Sequence, residues 1–307
     1  TPTEFIDKIN ARKDKYIIAD RIHVSEGEKA LKEKILQYDG IILCETKAYI
    51  RNELVKYCFE HSIRSYVVPK LSDIIILGEE PIHLFDTPLL LSRNQGLTGE
   101  DMIFKRLMDI IVSLIMIIIF SPFMILIALA IKLYDRGPVF YKQDRLTLNG
   151  RVFKIMKFRS MRMDSEEHGA QLARKHDDRI TPVGRVIRAT HLDELPQLFN
   201  ILKGDMSVVG PRPERPEIAA QYRETFPEFD YRLKMKAGLT GYAQVYGKYN
   251  TTPRDKVKLD LTYYEQYSLW LDLKLILLTF KILFQKENTE GIDANQTTAI
   301  REDKTKK

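Results

Sequence analysis

The chain is poor in residues that cross-link or ligate. Of 307 residues only Cys44 and Cys58 are cysteines, and Trp270 is the sole tryptophan. Both cysteines lie in apolar, patterned stretches, which excludes a disulfide framework or a cysteine metal site and points to a reducing, cytosolic setting. A dinucleotide-binding turn is missing as well. The turns after the first two apolar runs read His23-Val24-Ser25-Glu26-Gly27 and Cys44-Glu45-Thr46-Lys47, without the spaced glycines that bring a backbone close to a pyrophosphate. There is no internal repeat. No short apolar leader stands near the start, and the first residue is Thr1 rather than methionine, so further sequence is expected upstream.

What remains is apolar and basic. A hydrophobic content of 44% over this length suffices for two domains, each with a core. The net charge of +6 suits nucleic acid, a membrane surface or a phosphorylated substrate. Nucleic acid rests on charge alone and is not expected as a partner.

Residues 1–95 carry short apolar runs at 16–24, 40–44, 64–68 and 88–91, alternating with helical patterns at 26–38 and 48–61. That is the rhythm of a parallel α/β layer, here a partial Rossmann-like domain with a regulatory or oligomerising role; a homo-oligomer is therefore one expected assembly. From 110 to 131 the sequence is apolar all round, broken by Ser113 and by Ser121-Pro122, which predicts a membrane helix over 103–132. Pro122 removes a backbone hydrogen bond and predicts a hinge at Ser121-Pro122. Lys105 and Arg106 precede the segment, and Lys132, Arg136 and Lys142 follow it, so positive charge selects no orientation. A re-entrant helix with both ends in the cytosol needs Ser121 or neighbouring protein to satisfy the backbone at the hinge; a tilted spanning helix is the alternative. The apolar repeat 269–284 fits an interfacial helix or a core helix equally. The polar stretch 287–307 is expected to be a disordered tail.

Four segments carry groups suited to phosphate chemistry. Residues 152–161 read as a strand with Phe153, Ile155, Lys157, Arg159 and Met161 on one face. In 185–200, Asp193 and Glu194 open an apolar helical pattern, with Thr190 as its candidate N-cap. Acids in a first turn often only offset the helix dipole. Neighbours on a helix diverge by about 100°, so these two do not form a glycosidase pair; they are suited to sharing a divalent metal or to dividing the roles of nucleophile and metal ligand. Arg212 stands between Pro211 and Pro213 after Gly210, a stiff loop suited to bidentate phosphate binding. Residues 236–247 bring three glycines and a hydroxyl, suited to backbone contact with an anion but lacking the phosphate-loop pattern.

Taken in order, the Ser121-Pro122 apolar segment, Lys157-Phe158-Arg159-Ser160-Met161, Leu192-Asp193-Glu194-Leu195-Pro196-Gln197-Leu198-Phe199-Asn200, Lys203-Gly204-Asp205-Met206-Ser207 and Gly210-Pro211-Arg212-Pro213 closely resemble the bacterial sugar transferase family, the monotopic phosphoglycosyl transferases, over about residues 103–286. Ser160 stands where threonine is usual. The resemblance implies a re-entrant membrane helix hinged at Ser121-Pro122 and a mainly helical α+β catalytic domain over 133–286. It also implies that the N-terminal part is the second half of a nucleotide-binding-like domain, without the membrane-helix bundle of the larger members. The implied activity is that of a polyprenyl-phosphate glycosyl-1-phosphate transferase at the cytoplasmic face of the bacterial cell membrane. Asp193 would attack the β-phosphate of a UDP-sugar, expel UMP and pass the phosphosugar to undecaprenyl phosphate, the first membrane step of exopolysaccharide or capsule assembly. Mg²⁺, with Glu194 as its ligand, is the implied cofactor. Arg212, Arg188, Lys157 and Arg159 match family positions near the phosphates, and Glu214-Arg215-Pro216-Glu217 resembles the hexose-1-phosphate transferases. The rival class is a non-catalytic membrane scaffold for glycan assembly.

Overall fold

The computed structural model describes residues 17–92, 97–163, 177–247 and 251–283, with residues 5, 6 and 9 besides; the expected tail lies outside them. The chain forms two compact units, Thr1–Lys70 and Leu71–Lys307.

In the first unit, helix α1 (Glu28–Ile35) is followed by strand β1 (Gly40–Leu43), helix α2 (Ala48–Glu60) and strand β2 (Arg64–Val67). The strands pair in parallel, Gly40 opposite Arg64 and Leu43 opposite Val67, with α2 as the crossover that a parallel pair requires. Leu31 and Ile35, and Leu54 and Cys58, lie four residues apart on their helices and so share a face; with Leu43 they form this unit's core. The mixed α/β class holds, but this pair is the only parallel sheet in the unit among the described residues. Of the run expected at 16–24, residues 17–23 form no strand and the 3₁₀ helix Val24–Glu26 starts at its end, and the run at 88–91 belongs to the second unit.

The second unit begins with helix α3 (Leu71–Ile76) and an antiparallel hairpin, β3 (Glu80–Leu84) with β4 (Thr87–Leu91). Ile74 is buried among Leu146, Ile218, Tyr222, Phe229 and Leu261, which ties α3 to this unit. Helix α4 (Gly99–Asp135) follows, opened by Thr98 Oγ1 accepting from the Asp101 amide at 3.1 Å. Its 37 residues give a path length of about 55 Å along the helix axis. One stripe faces protein: Lys105, Asp109 and Ser113, then Met124, Ile127 and Ile131, spacings of three and four that keep one helix face inward. Elsewhere Ile111, Leu114, Ile118, Ile125 and Leu126 are exposed. Over its most apolar window the mean hydropathy is 3.0 and only 11% of residues are buried, so the outer face lacks the protein cover a soluble core helix would have and fits membrane association.

The helix runs through Pro122 as one element. The proline cannot donate to the carbonyl four residues back, that of Ile118; Ser121 Oγ donates to that oxygen instead, at 3.0 Å. Lys105 and Arg106, expected as membrane-flanking cations, are internal. Lys105 Nζ donates to Asp272 Oδ2 (2.7 Å) and Tyr263 OH (2.9 Å), and both Arg106 amino groups donate to the Ile201 and Leu202 carbonyls at 2.6 Å.

Beyond α4, the ribbon β5 (Phe140–Leu146) and β6 (Val152–Phe158) leads to helix α5 (Pro182–Ala189), a 3₁₀ turn (Leu192–Glu194) and helix α6 (Gln197–Lys203). Strand β7 (Ser207–Val209) pairs in parallel with β8 (Gly238–Thr240), enclosing helix α7 (Pro216–Thr225); helices α8 (Tyr242–Tyr246), α9 (Pro253–Glu265) and α10 (Leu269–Leu283) complete the unit. Helix α10 reconciles the two expectations for its segment. Asp272 and Leu275 are buried in the core, while Trp270, Leu273, Leu277 and Phe280 form an exposed apolar face.

Candidate active site

Strand β6 delivers the first cation. Phe153 and Ile155 face the core, and Lys157, two residues on, points the same way to put Nζ 2.6 Å from Glu194 Oε1. Helix α5 starts against the end of this strand: the Thr181 amide donates to the Ser160 carbonyl at 3.0 Å. The approach is so close that a Cβ on Gly184 would fall 1.9 Å from that carbonyl oxygen, which explains a glycine inside the helix. Thr190 does not cap the following helix as expected. Its Oγ1 donates back to the Val186 carbonyl at 3.0 Å, closing α5. His191 then adopts a left-handed conformation (φ 56°) and turns the chain into the 3₁₀ turn bearing Asp193 and Glu194. Successive side chains diverge by about 120° in such a turn, so the two carboxylates face different surroundings. Leu192 and Leu195, on either side of them, pack with Phe158 and Ile187 against Ile127 and Ile131 of α4. The acidic turn is thereby seated directly under the apolar helix.

Arg212 arrives on a loop clamped at four consecutive carbonyls. Pro211 accepts from the Gly238 amide (2.9 Å), Arg212 from Arg232 Nη2 (3.0 Å), Pro213 from Arg145 Nη1 (3.0 Å) and Glu214 from the Leu146 amide (3.0 Å). Backbone packs on backbone here: a Cβ on Gly210 would lie 2.3 Å from the Lys236 carbonyl oxygen, and one on Gly241 would lie 2.0 Å from that of Gly210. Of the three glycines at 236–247, read from sequence as suited to an anion, Gly238 and Gly241 serve this packing, while a Cβ on Gly247 would lie 2.2 Å from the Ala243 carbonyl oxygen. The fixed loop extends Arg212 Nη2 to 3.2 Å from Glu194 Oε1.

The two carboxyls therefore differ. Glu194 is only 15% exposed, and burial opposes its charge, but Lys157 and Arg212 outweigh that cost and hold its pKa well below the ordinary carboxylate range. For Asp193 burial prevails, reinforced by the neighbouring Glu194 charge and only partly offset by Lys157, Arg188 and His191, so its pKa is raised. The Arg188 guanidinium, in the last turn of α5, has no hydrogen-bond partner among the described residues while its charge acts on Asp193. Arg159 is placed elsewhere: its Nε donates to the Pro138 carbonyl at 2.7 Å and its two amino groups grip Asp135 at the end of α4, leaving it 7% exposed. Lys157, Arg212, Asp193, Glu194 and Arg188 thus come together, and Arg159 does not join them. Sequence reasoning missed Arg232 and Asp260, the buried pair that holds the Arg212 carbonyl; no local pattern links residues 28 positions apart.

The described residues include no group of three or more His, Cys, Asp or Glu side chains gathered closely enough to hold a metal ion. Mg²⁺ does not require one, because it commonly takes one or two carboxylates together with substrate phosphates and water. Both cations on Glu194 fall on Oε1, and this carboxylate stays ionised, so the donor set suits that kind of site.

Paired carboxylates of unequal basicity, with cations around them at the flank of a long apolar helix, make a candidate site for phosphate chemistry in a membrane-associated protein. The chain belongs to the bacterial sugar transferase family, whose sequence profile it matches over residues 100–286. It is 43% identical over 209 residues to a UDP-glucose:undecaprenyl-phosphate glucose-1-phosphate transferase of Klebsiella pneumoniae, covering 66% of this chain and 43% of the relative. It is 44% identical over 182 residues to a UDP-N-acetylgalactosamine-undecaprenyl-phosphate N-acetylgalactosaminephosphotransferase of Aeromonas hydrophila, covering 58% and 43%. To a UDP-glucose:undecaprenyl-phosphate glucose-1-phosphate transferase of Caulobacter vibrioides it is 40% identical over 189 residues, covering 60% and 71%. The chain spans about half the length of most curated relatives it matches.

Proposed function

We propose that this protein transfers a sugar-1-phosphate, with hexose-1-phosphate favoured, from a UDP-sugar to undecaprenyl phosphate, releasing UMP as the first membrane step of exopolysaccharide or capsule assembly. The observation that carries this reading is the split carboxylate pair: Glu194 locked between Lys157 and Arg212, with the more basic Asp193 beside it and both seated under α4. The relatives' names supply the reaction, and their two different sugars leave the choice between glucose, galactose and their N-acetyl forms to a donor screen.

In the proposed reaction an Asp193 oxygen attacks the β-phosphorus of the donor. The bond from that phosphorus to the bridging oxygen breaks, and its electron pair leaves with UMP. The resulting acyl phosphate holds the sugar until an oxygen of polyprenyl phosphate attacks the same phosphorus and frees the Asp193 carboxylate. A raised pKa makes Asp193 the stronger nucleophile of the pair, and Arg188 and Arg212 are placed to take phosphate charge. Mg²⁺, held by Glu194 with donor phosphate oxygens, would neutralise diphosphate charge.

The same contacts support a reading of the membrane topology. The first turns of α4 are tied to Asp272 and Tyr263, and its last residue to Arg159, all in one compact unit. A spanning helix would separate such anchors by a hydrocarbon core of about 30 Å, so a re-entrant helix with both ends on the cytoplasmic face is favoured. Release of UMP from a panel of UDP-sugars, with Mg²⁺ and polyprenyl phosphate present, tests the function. A properly folded chain that releases none with any donor would be the scaffold of the rival reading.

A further inference from the structure

Beside the Arg212 loop one cation is held in no ion pair among the described residues. Lys256 lies in α9 one turn before Asp260, and residues four apart share a helix face. The acids on that side are engaged. Asp260 accepts from Arg232 Nε at 3.0 Å, with Arg232 Nη2 at 2.9 Å, and Glu214 lies between Arg145 (3.9 Å) and Arg232 (4.0 Å). The neighbouring guanidiniums are engaged too: Arg232 on Asp260 and the Arg212 carbonyl, Arg145 on the Pro213 carbonyl and Gln143. Lys256 is half-buried and has no side-chain hydrogen bond or ion pair among the described residues. Burial pushes its amine below the ordinary lysine value, while Glu214, Arg232, Arg212 and Asp260 all lie close enough for their charges to act on it.

A lysine on a solvated face needs no partner, but one withdrawn from water beside two guanidiniums costs folding energy that no ion pair or side-chain hydrogen bond among the described residues returns and that the Glu214 and Asp260 charges offset only in part. An anion arriving with a substrate returns it. We propose that Lys256 is a further phosphate-binding residue of the active site, acting with Arg212 on a phosphate group that is either the nucleotide phosphate of the donor or the polyprenyl phosphate of the acceptor. The proposal rests on the transferase reading. In the first case Lys256 offsets the charge that grows on UMP as its bond to the β-phosphorus breaks; in the second it holds the incoming nucleophile.

The test compares the full chain with Lys256→Met and Lys256→Arg in lipid nanodiscs, measuring UMP release while the UDP-sugar and the polyprenyl phosphate are varied separately. Lys256→Met should raise KM or lower kcat/KM about tenfold or more for the substrate whose phosphate it holds, and Lys256→Arg should recover most of that loss. A donor-side effect accompanied by weaker UMP binding assigns the nucleotide phosphate; an acceptor-side effect with UMP binding unchanged assigns the lipid. Melting temperature separates binding from scaffolding, because removing an unpaired cation should leave it unchanged or raise it. Lys256→Met with wild-type kinetics for both substrates overturns the proposal, as does a loss that tracks a lowered melting temperature and that arginine does not repair. If the wild-type chain releases no UMP, the transferase reading fails separately. Direct binding of UMP and of polyprenyl phosphate then decides for Lys256: weaker binding of either by the Met variant supports it, and equal binding of both overturns it.

Discussion

Lys157 and Arg212 meet on a single oxygen, Oε1 of Glu194, at 2.6 and 3.2 Å. One comes from the end of a strand and the other from a loop whose carbonyls are all taken, so neither backbone has room to follow a moving carboxylate. The arrangement fixes a negative charge beside Asp193 and leaves the remaining donors of Arg212, which is 55% exposed, open to solvent and substrate.

Asp193→Asn should abolish UMP release, by at least about a thousandfold, and raise the melting temperature. The sign follows from linkage. A carboxyl whose folded pKa is raised makes ionisation unfavourable in the folded state, so its contribution to stability falls as pH climbs from the ordinary value through the raised one. The asparagine variant lacks that fall, and its stability advantage should therefore grow across the same interval. Thermal melts at several pH values check it, and turnover surviving the substitution would dismiss Asp193 as nucleophile.

Glu194→Gln should act in the opposite sense. Its folded pKa is depressed, so its stabilising contribution is full above the ordinary carboxylate value and is lost as pH drops toward the folded one. At neutral pH the glutamine variant leaves Lys157, 20% exposed, without its counterion, at a cost of roughly 1–3 kcal/mol. Melting curves at pH 7 should show the deficit, and curves in increasing acid should show it shrinking.

Arg188 and Arg159 separate by function. Arg188→Met should reduce kcat/KM about tenfold or more with little change in melting temperature, because its guanidinium has no hydrogen-bond partner among the described residues to strand. Arg159→Met should instead lower the melting temperature, since it abandons Asp135 and the Pro138 carbonyl, while the KM for donor in the remaining folded protein stays near wild type. Equal kinetic effects from the two would contradict the placement of Arg159 away from the carboxylates.

Cysteines placed at exposed Glu100 and Lys142, in a chain with Cys44 and Cys58 replaced by alanine, should both react with an impermeant maleimide from the same side of sealed vesicles. Labelling from opposite sides would establish a spanning α4.

The candidate site was legible where its groups are consecutive or bracketed by stiff residues: Asp193-Glu194 and Pro211-Arg212-Pro213 are local signals. It was illegible where neighbours come from distant sequence. Lys157 and Arg159 share a face only while the strand lasts; β6 ends at Phe158, the period of two ends with it, and Arg159 swings to Asp135. Thr190 looked like a helix start because hydroxyls also close helices, by bonding back four residues, and sequence does not distinguish the two. The alternation before residue 95 suggested a wider parallel sheet because run length and spacing are alike for a parallel strand and for one arm of a hairpin; pairing partners decide, and 88–91 pairs with 80–84. The long apolar helix was the plainest signal of all, yet its buried Lys105, Asp109 and Ser113 show that a lipid-facing helix also carries a polar seam where it meets its own domain.

Ser121 and Pro122 have a genetic consequence. A hydroxyl that occupies the carbonyl vacated by the next residue's ring makes the two positions one unit of inheritance. Loss of the serine alone strands an acceptor in an apolar setting, whereas loss of the proline alone restores the ordinary helical bond and leaves the serine idle. A helix that keeps Pro122 should therefore keep a hydroxyl before it, whereas one without the proline should tolerate almost any small residue at 121.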